Sequence, residues 1–226
     1  DLDMTGRVVE AMTTNETGFF RDRHPFETLR TRILPGLAEQ KKQGHANLGR
    51  RVRMWSAGSS TGEEPYTLAM VLLEWLKSER DFSGNDVSVF ASDVSRAVLE
   101  RARRGVYSQS RVSKGVAYGL REEYFERYND EWRVGEKLRS IVSFSQVNLT
   151  SSLEHLGFFD VIFCRNVIIY FSEDIKRHIL ESFARMLNPG GALIMGASET
   201  IYQLSDKFRP VHFGQTTYFV VGNDGI

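Results

Sequence analysis

The sequence predicts an α/β protein, a doubly wound and mostly parallel sheet with helices on both faces. Three observations predict it. Strand-like and helix-like stretches alternate from Val52 to Met195 at the spacing of βα units. The first unit, V-R-M-W-S-A-G-S-S-T-G-E-E-P-Y over Val52–Tyr66, reads as strand, small-residue turn and helix start, the place where such folds hold a cofactor. The second strand closes on a carboxylate, Asp93, in F-A-S-D.

Taken in order, Asp1–Met12 carries Val8, Val9 and Met12 on one short face, as expected for the end of a helix that begins before this chain does. A polar stretch from Thr13 to Arg21 holds Phe19 and Phe20, which read as packing residues that anchor it. The segment Pro25–Glu39 predicts a helix, with proline in the first turn and Phe26, Leu29, Ile33 and Leu37 at helical spacing. Gln40–Arg51 is a polar, glycine-containing linker. The alternation then gives strand Val52–Ala57, helix Pro65–Lys77, strand Val87–Ser92, helix Ser95–Arg103, strand Val161–Cys164 and helix Ser172–Leu187. A turn at Asn188-Pro189-Gly190-Gly191, strand Ala192–Met195 and terminal strand Thr216–Val221 complete it. Residues 121–148 break the rhythm. There Trp132–Val134 and Ile141–Phe144 flank Gly135-Glu136-Lys137 and predict a small antiparallel β insertion. The expected organisation is a remnant of a helical region with its linker over 1–45, then one domain over 46–226 with a β subdomain at about 126–147.

Composition narrows the function. The chain has 226 residues, 41% hydrophobic and 26% charged, enough for one large core. Its 29 Lys and Arg balance 29 Asp and Glu, which argues against a nucleic-acid substrate. No run of about 18 apolar residues suggests a membrane span and no signal peptide is legible. A single cysteine, Cys164, sits inside an apolar run and reads as a buried, inert thiol in a reducing cytoplasm. The five histidines show no metal-ligand spacing, so no metal is expected.

The acids at the first turn are its chemical content. A helix N-terminus welcomes phosphate, yet Glu63 and Glu64 would repel it, so the ligand presents a cation or hydroxyls. Asp93 reads either as the acid that binds ribose hydroxyls or as a cap for the helix behind Ser95. It lies about 30 residues beyond the glycine turn, against about 20 in the dinucleotide fingerprint, and G-S-S-T-G-E lacks the G-x-G-x-x-G order. Nicotinamide chemistry is therefore weakly supported, and an adenosyl ligand without pyrophosphate fits better.

Four stretches together resemble a known family: T-T-N-E-T-G-F-F-R (13–21), W-S-A-G-S-S-T-G-E-E-P-Y (55–66), F-A-S-D (90–93) and F-C-R-N-V-I-I-Y-F (163–171). In this order they are similar to the chemotaxis receptor methyltransferases, the CheR family, over about residues 8–221. The resemblance implies a class I S-adenosylmethionine-dependent fold whose mostly parallel sheet has an antiparallel terminal strand. It also implies an enzyme that esterifies glutamate side chains on the cytoplasmic helices of chemoreceptors, with S-adenosylhomocysteine as product.

The same resemblance implies roles residue by residue. Asn15, Thr17 and Arg21 match a segment that folds over the cofactor, with Arg21 also facing the reacting centre. Glu64 matches the acid that meets the methionine ammonium, and Glu63 is left as a neighbour that caps the helix. Asp93 matches the ribose acid, Asn148 and Leu149 the pair beside the adenine, and Arg165 and Asn166 further lining of the cofactor site. Tyr170 matches the tyrosine that orients the substrate carboxylate. Ser198-Glu199 resembles a family motif without an assigned chemistry beyond packing or capping. The short β arm predicts independence from a receptor C-terminal pentapeptide. The alternatives are a fold-retaining adaptor that binds the cofactor without catalysis, and a methyltransferase with another protein acceptor.

Overall fold

A computed structural model of the chain describes residues 17–43, 51–199, 201–202 and 204–222. The helix expected over Asp1–Met12, candidate residue Asn15 and most of the linker lie outside the described residues. Helix α1 (His24–Thr28) passes through a π-helical turn (Leu29–Ile33) into α2 (Leu34–Lys42), so the helix read from Pro25–Glu39 is present but locally underwound. Strands β1 (Val52–Ala57) and β2 (Val87–Asp93) flank α3 (Glu63–Leu76), and α4 (Arg96–Arg104) follows. Next come β3 (Val106–Ser108), α5 (Gln109–Gly115), α6 (Tyr118–Tyr124), β4 (Phe125–Tyr128), β5 (Glu131–Val134), α7 (Glu136–Arg139) and β6 (Val142–Gln146). The chain closes with β7 (Phe159–Cys164), α8 (Glu173–Met186), β8 (Leu187–Met195), β9 (Phe208–Phe213) and β10 (Thr216–Val221).

The large sheet runs β6-β2-β1-β7-β8-β10-β9. Pairs from β6 to β8 are parallel, whereas β10 is antiparallel to β8 and β9. This is the doubly wound α/β fold with its antiparallel terminal strand. Strand order leaves β1 toward β2 on one side and toward β7 on the other, so a crevice opens at the carboxyl ends of β1 and β7. Successive β1 residues serve opposite faces, as the strand's period of two requires. Met54 joins the core under α1–α3, and Trp55 joins the core under α8, where its ring meets Phe90, Phe159 and Phe183 at 5.2–6.1 Å. Helix α3 buries Tyr66, Leu68, Met70, Leu72 and Trp75 on nearly every side because the sheet covers one flank and the α1 region the other.

Two local expectations change. Trp132–Val134 does not pair with Ile141–Phe144. It is the middle strand of a three-stranded sheet β3-β5-β4, while β6 pairs parallel with β2 as the edge of the large sheet. The short helix α7 between them turns the chain from one sheet to the other, which apolar alternation alone does not reveal. Likewise Asn188–Gly191 is not a free turn. It is a bulge inside β8, with Phe159 opposite Leu187 and Val161 opposite Ala192. Gly191 is required there, because a Cβ would come within 2.8 Å of the Asp160 carbonyl. Strand β9 has no counterpart among the expected elements.

Helix α2 is fastened to the sheet by a buried ion pair. Lys41 Nζ lies 2.9 Å from Asp160 Oδ1, with both side chains 1% exposed. The same carboxylate accepts the Arg53 backbone N–H at 2.8 Å and Asn188 Nδ2 at 2.9 Å, so its lone pairs are satisfied despite burial.

Candidate functional site

The turn after β1 is held from below. Gly58 and Ser59 both donate their backbone N–H to the Ser92 carbonyl at 2.8 Å, and Ser60 donates to Asp93 Oδ2 at 2.9 Å. Gly58 (φ 76°) and Gly62 (φ 97°) occupy the left-handed region that glycine permits. At Gly58 a Cβ would run into the side chain of Val167, so the missing side chain makes room for the loop after β7. That differs from a glycine kept bare for a ligand alone.

Helix α3 starts on the two acids, and their environments diverge. Glu63 is fully buried and engaged by the Arg111 guanidinium, with Thr61 Oγ1 donating to its other oxygen at 2.7 Å. It is a structural acid. Glu64 turns toward the crevice, where Ser56 Oγ donates to it at 2.8 Å and Arg165 Nη1 at 3.3 Å. Its side chain is 14% exposed. Burial pushes the Glu64 carboxyl above its ordinary value, Arg165 and Ser56 pull the other way without cancelling the push, and Glu199 adds to it. Burial therefore makes the Glu64 charge costly, and a cation placed beside it would offset that cost.

Arg165 is the organiser behind Glu64. Its guanidinium, 3% exposed, also donates through Nη2 to Asp22 Oδ2 at 2.5 Å and to the Arg21 carbonyl at 3.2 Å. This draws the strap at residues 17–23 against the end of β7. The strap is bolted elsewhere by the Phe20 N–H on Thr67 Oγ1 of α3 at 3.2 Å and by Phe19, packed edge-on against Tyr107 and Phe125. Phe20, Asp22 and Arg23 all have positive φ, at 51°, 66° and 46°. Such strain persists only where surrounding bonds over-determine the backbone.

Asp93, at the end of β2, accepts the Ser95 N–H at 3.0 Å as well as that of Ser60, so the capping role is filled. Its place at the end of β2, next to the turn after β1, puts this carboxylate beside the crevice. Gln146 lies opposite Asp93 in β6, which brings Asn148 and Leu149 to the same end of the sheet. Leu149 is buried, and Asn148 Oδ1 accepts from the Thr150 backbone N–H and hydroxyl, which leaves its amide NH2 to read a base edge. Past β7, Asn166 (φ 60°) opens a loop that ends in a 3-10 turn, with Tyr170 51% exposed on the rim. Thr17 is half-buried at the start of the strap. Cys164 is fully buried, and burial first, then Glu199 and Glu64, pushes its thiol well up, as an inert cysteine requires.

The sequence reading missed Ser56, Asp22, Arg111 and the work of Glu199. Ser56 precedes the glycine turn and Asp22 follows Arg21, so proximity to known motifs was their only signal. Two clefts of about 690 and 590 Å³ lie away from this crevice. The larger is at the amino ends of β1, β2 and β6 and holds none of these acids.

The donor set suits a particular group. An under-compensated buried carboxylate calls for a cation, a second carboxylate at the next strand end for hydroxyls, and Leu149 with Asn148 for a flat base. Ser59 Oγ and Arg165 Nε are buried with no hydrogen-bond partner among the described residues, further polar capacity at the same strand ends. S-adenosylmethionine, with its ammonium, ribose and adenine, fits these residues.

Comparison with known proteins agrees. The family model described as CheR methyltransferase, SAM binding domain, matches residues 15–217. The chain is 41% identical over 210 residues to chemotaxis protein methyltransferase 1 of Vibrio cholerae, covering 92% of this chain and 73% of that protein. It is 42% identical over 205 residues to chemotaxis protein methyltransferase 1 of Pseudomonas aeruginosa, covering 90% and 73%. With this match across most of its length, on a class I fold whose crevice suits S-adenosylmethionine, the chain belongs to the CheR methyltransferase family.

Proposed function

We propose that the chain methylates glutamate side-chain carboxylates on the cytoplasmic helices of chemoreceptors, giving glutamate methyl esters, and works in the cytoplasm. The observation that carries this reading is the crevice where Glu64, Arg165 and the strap carbonyl of Arg21 form one bonded cluster beside Asp93. Glu64 accepts the methionine ammonium and Asp93 the ribose hydroxyls, while Asn148 and Leu149 hold the adenine. Asn15, Thr17, Arg21 and Asn166 close over the cofactor. Arg165 acts mainly by holding Glu64 and the strap together.

The methyl group comes activated on the sulfonium of S-adenosylmethionine, which leaves as S-adenosylhomocysteine. A glutamate carboxylate, with an ordinary pKa of about 4.3, is already anionic at neutral pH, so no base is required. The protein's task is alignment and exclusion of water, which supplies several kcal/mol through positioning alone. Tyr170 donates one hydrogen bond to the substrate carboxylate. Arg21 makes a light contact, because a tight bidentate pair would lower the nucleophilicity of the oxygen it holds.

The reading includes independence from a receptor C-terminal pentapeptide. It is supported by the small size of the β3-β5-β4 sheet, whose β4–β5 hairpin turns through Asn129 and Asp130 alone. Calorimetry with S-adenosylhomocysteine, then radiolabelled methyl transfer to receptor cytoplasmic fragments, tests the whole. Base-labile label on glutamates is expected. Cofactor binding with no label on any receptor fragment would move the reading to an adaptor or to another acceptor.

A further inference from the structure

Glu199 follows β8 and is 8% exposed, and its carboxylate accepts four backbone N–H groups. Its Oε2 accepts the N–H of Asn166 at 2.7 Å and of Gly196 at 2.8 Å. Its Oε1 accepts the N–H of Val167 and of Ile168, both at 2.9 Å. Asn166 is left-handed (φ 60°), while Val167 is right-handed (φ −117°, ψ −53°). Successive amides in alternating left- and right-handed conformations converge into an anion-binding concavity. Here the anion is the protein's own side chain. Gly196 is obligatory in this arrangement, since a Cβ there would stand 2.7 Å from Glu199 Oε2 and 3.0 Å from the Asn166 nitrogen.

We infer that Glu199 is a positioning residue for methyl transfer: its carboxylate clamps residues 166–168 into the one shape that presents Asn166 to the cofactor and Tyr170 to the substrate. Asparagine tolerates the left-handed region better than most residues, the clamp holds Asn166 in it, and Tyr170 lies in the 3-10 turn that Ile168 begins. The clamp also ties two neighbouring strand ends, because Gly196 ends the β8 side and Asn166 begins the β7 side. Val167, the middle residue of the clamped loop, fills the space left by Gly58, so the shape set by Glu199 reaches the first cofactor turn. The negative charge of Glu199 adds to the field at Glu64, in the sense that favours a bound cation.

The roles of Asn166 and Tyr170 rest on the proposed function, and the test separates the clamp from that reading. In Glu199→Gln either amide orientation sets an NH2 donor against two backbone N–H donors, so the clamp opens with little change in volume. Amide hydrogen exchange, with no cofactor present, is expected to speed about tenfold or more at residues 166–168 and 196 while β1 stays protected. In the same variant the affinity for S-adenosylhomocysteine, read by calorimetry, falls about tenfold. The single-turnover rate at saturating cofactor falls by about as much, with KM for the receptor fragment within about twofold. Glu199→Ala should regain cofactor affinity when formate is added, because a small carboxylate can refill the concavity. Unchanged exchange at those four amides in folded Glu199→Gln overturns the clamp, whatever the activity. If Glu199→Gln does not fold, exchange in the unmodified protein decides: protection like that of β7 supports the clamp, and exchange at the rate of an open loop overturns it.

Discussion

Glu64 sits where two demands oppose each other, since burial disfavours its charge and the proposed ligand requires it. Its folded pKa is raised, so in this range the ligand-free fold binds more protons than the unfolded chain. The contribution of Glu64 to stability is therefore largest below the ordinary carboxyl pKa of 4.5 and declines as pH rises through the folded value. A bound ammonium reverses the preference. Binding of S-adenosylhomocysteine should accordingly release a proton at pH values between the ordinary carboxyl pKa and the raised folded one. Calorimetry in buffers of different ionisation enthalpy measures this, and a proton count of zero throughout that range would sink the assignment. Glu64→Gln should weaken binding by about 1.5–3 kcal/mol, roughly tenfold to a hundredfold. Two site residues illustrate opposite fates of sequence inference. Glu64 was legible because adjacent acids at a helix start conflict with phosphate binding. Glu199 was visible only as a letter in S-E, because its partners are backbone amides about 30 residues away, which no side-chain pattern encodes.

Among the elements, the strap and α2 show how the N-terminal part is fixed to the sheet. Lys41 and Asp160 form a dry ion pair, and replacing Lys41 with alanine leaves a buried carboxylate short of its cation. The expected cost is about 3–5 kcal/mol, read by urea denaturation, and a loss under about 1 kcal/mol would show that water replaces the ammonium. Gly58→Ala introduces a left-handed alanine and drives its Cβ into Val167. A destabilisation of about 2–3 kcal/mol is expected, together with weaker cofactor binding than a surface substitution of equal cost produces. The elements themselves were legible where period was clear: β1, β2, α3, α4, β7 and α8 follow the expected ranges to within a few residues. The β insertion was legible as strands and not as pairings. Trp132–Val134 and Val142–Phe144 share an apolar–polar alternation, and only the reversal through α7 assigns them to different sheets.

For the whole molecule, ligand and fold are linked by mass action. Saturation with S-adenosylhomocysteine at a hundred times Kd should stabilise the protein by about 2.7 kcal/mol, which for a chain of this size raises Tm by about 5–10 °C. A flat melting temperature over a titration that calorimetry shows to be saturating would mean that the unfolded chain binds as well, or that unfolding is not two-state. A receptor C-terminal pentapeptide should give no comparable shift, and a micromolar Kd for it would overturn the proposed independence. By itself the sequence determined the fold class, the order of most strands and helices, and the acids at the ends of β1 and β2. Hydrophobic period and turn chemistry are local properties that a single chain displays openly. The tertiary structure decided which acid faces the crevice and which is sealed against Arg111, that Arg165 joins Glu64 to the strap, and that Glu199 shapes the loop of Asn166. Those outcomes depend on which distant groups share one buried volume, where desolvation and unpaired donors set the energies, and closure of the sheet brings such groups together.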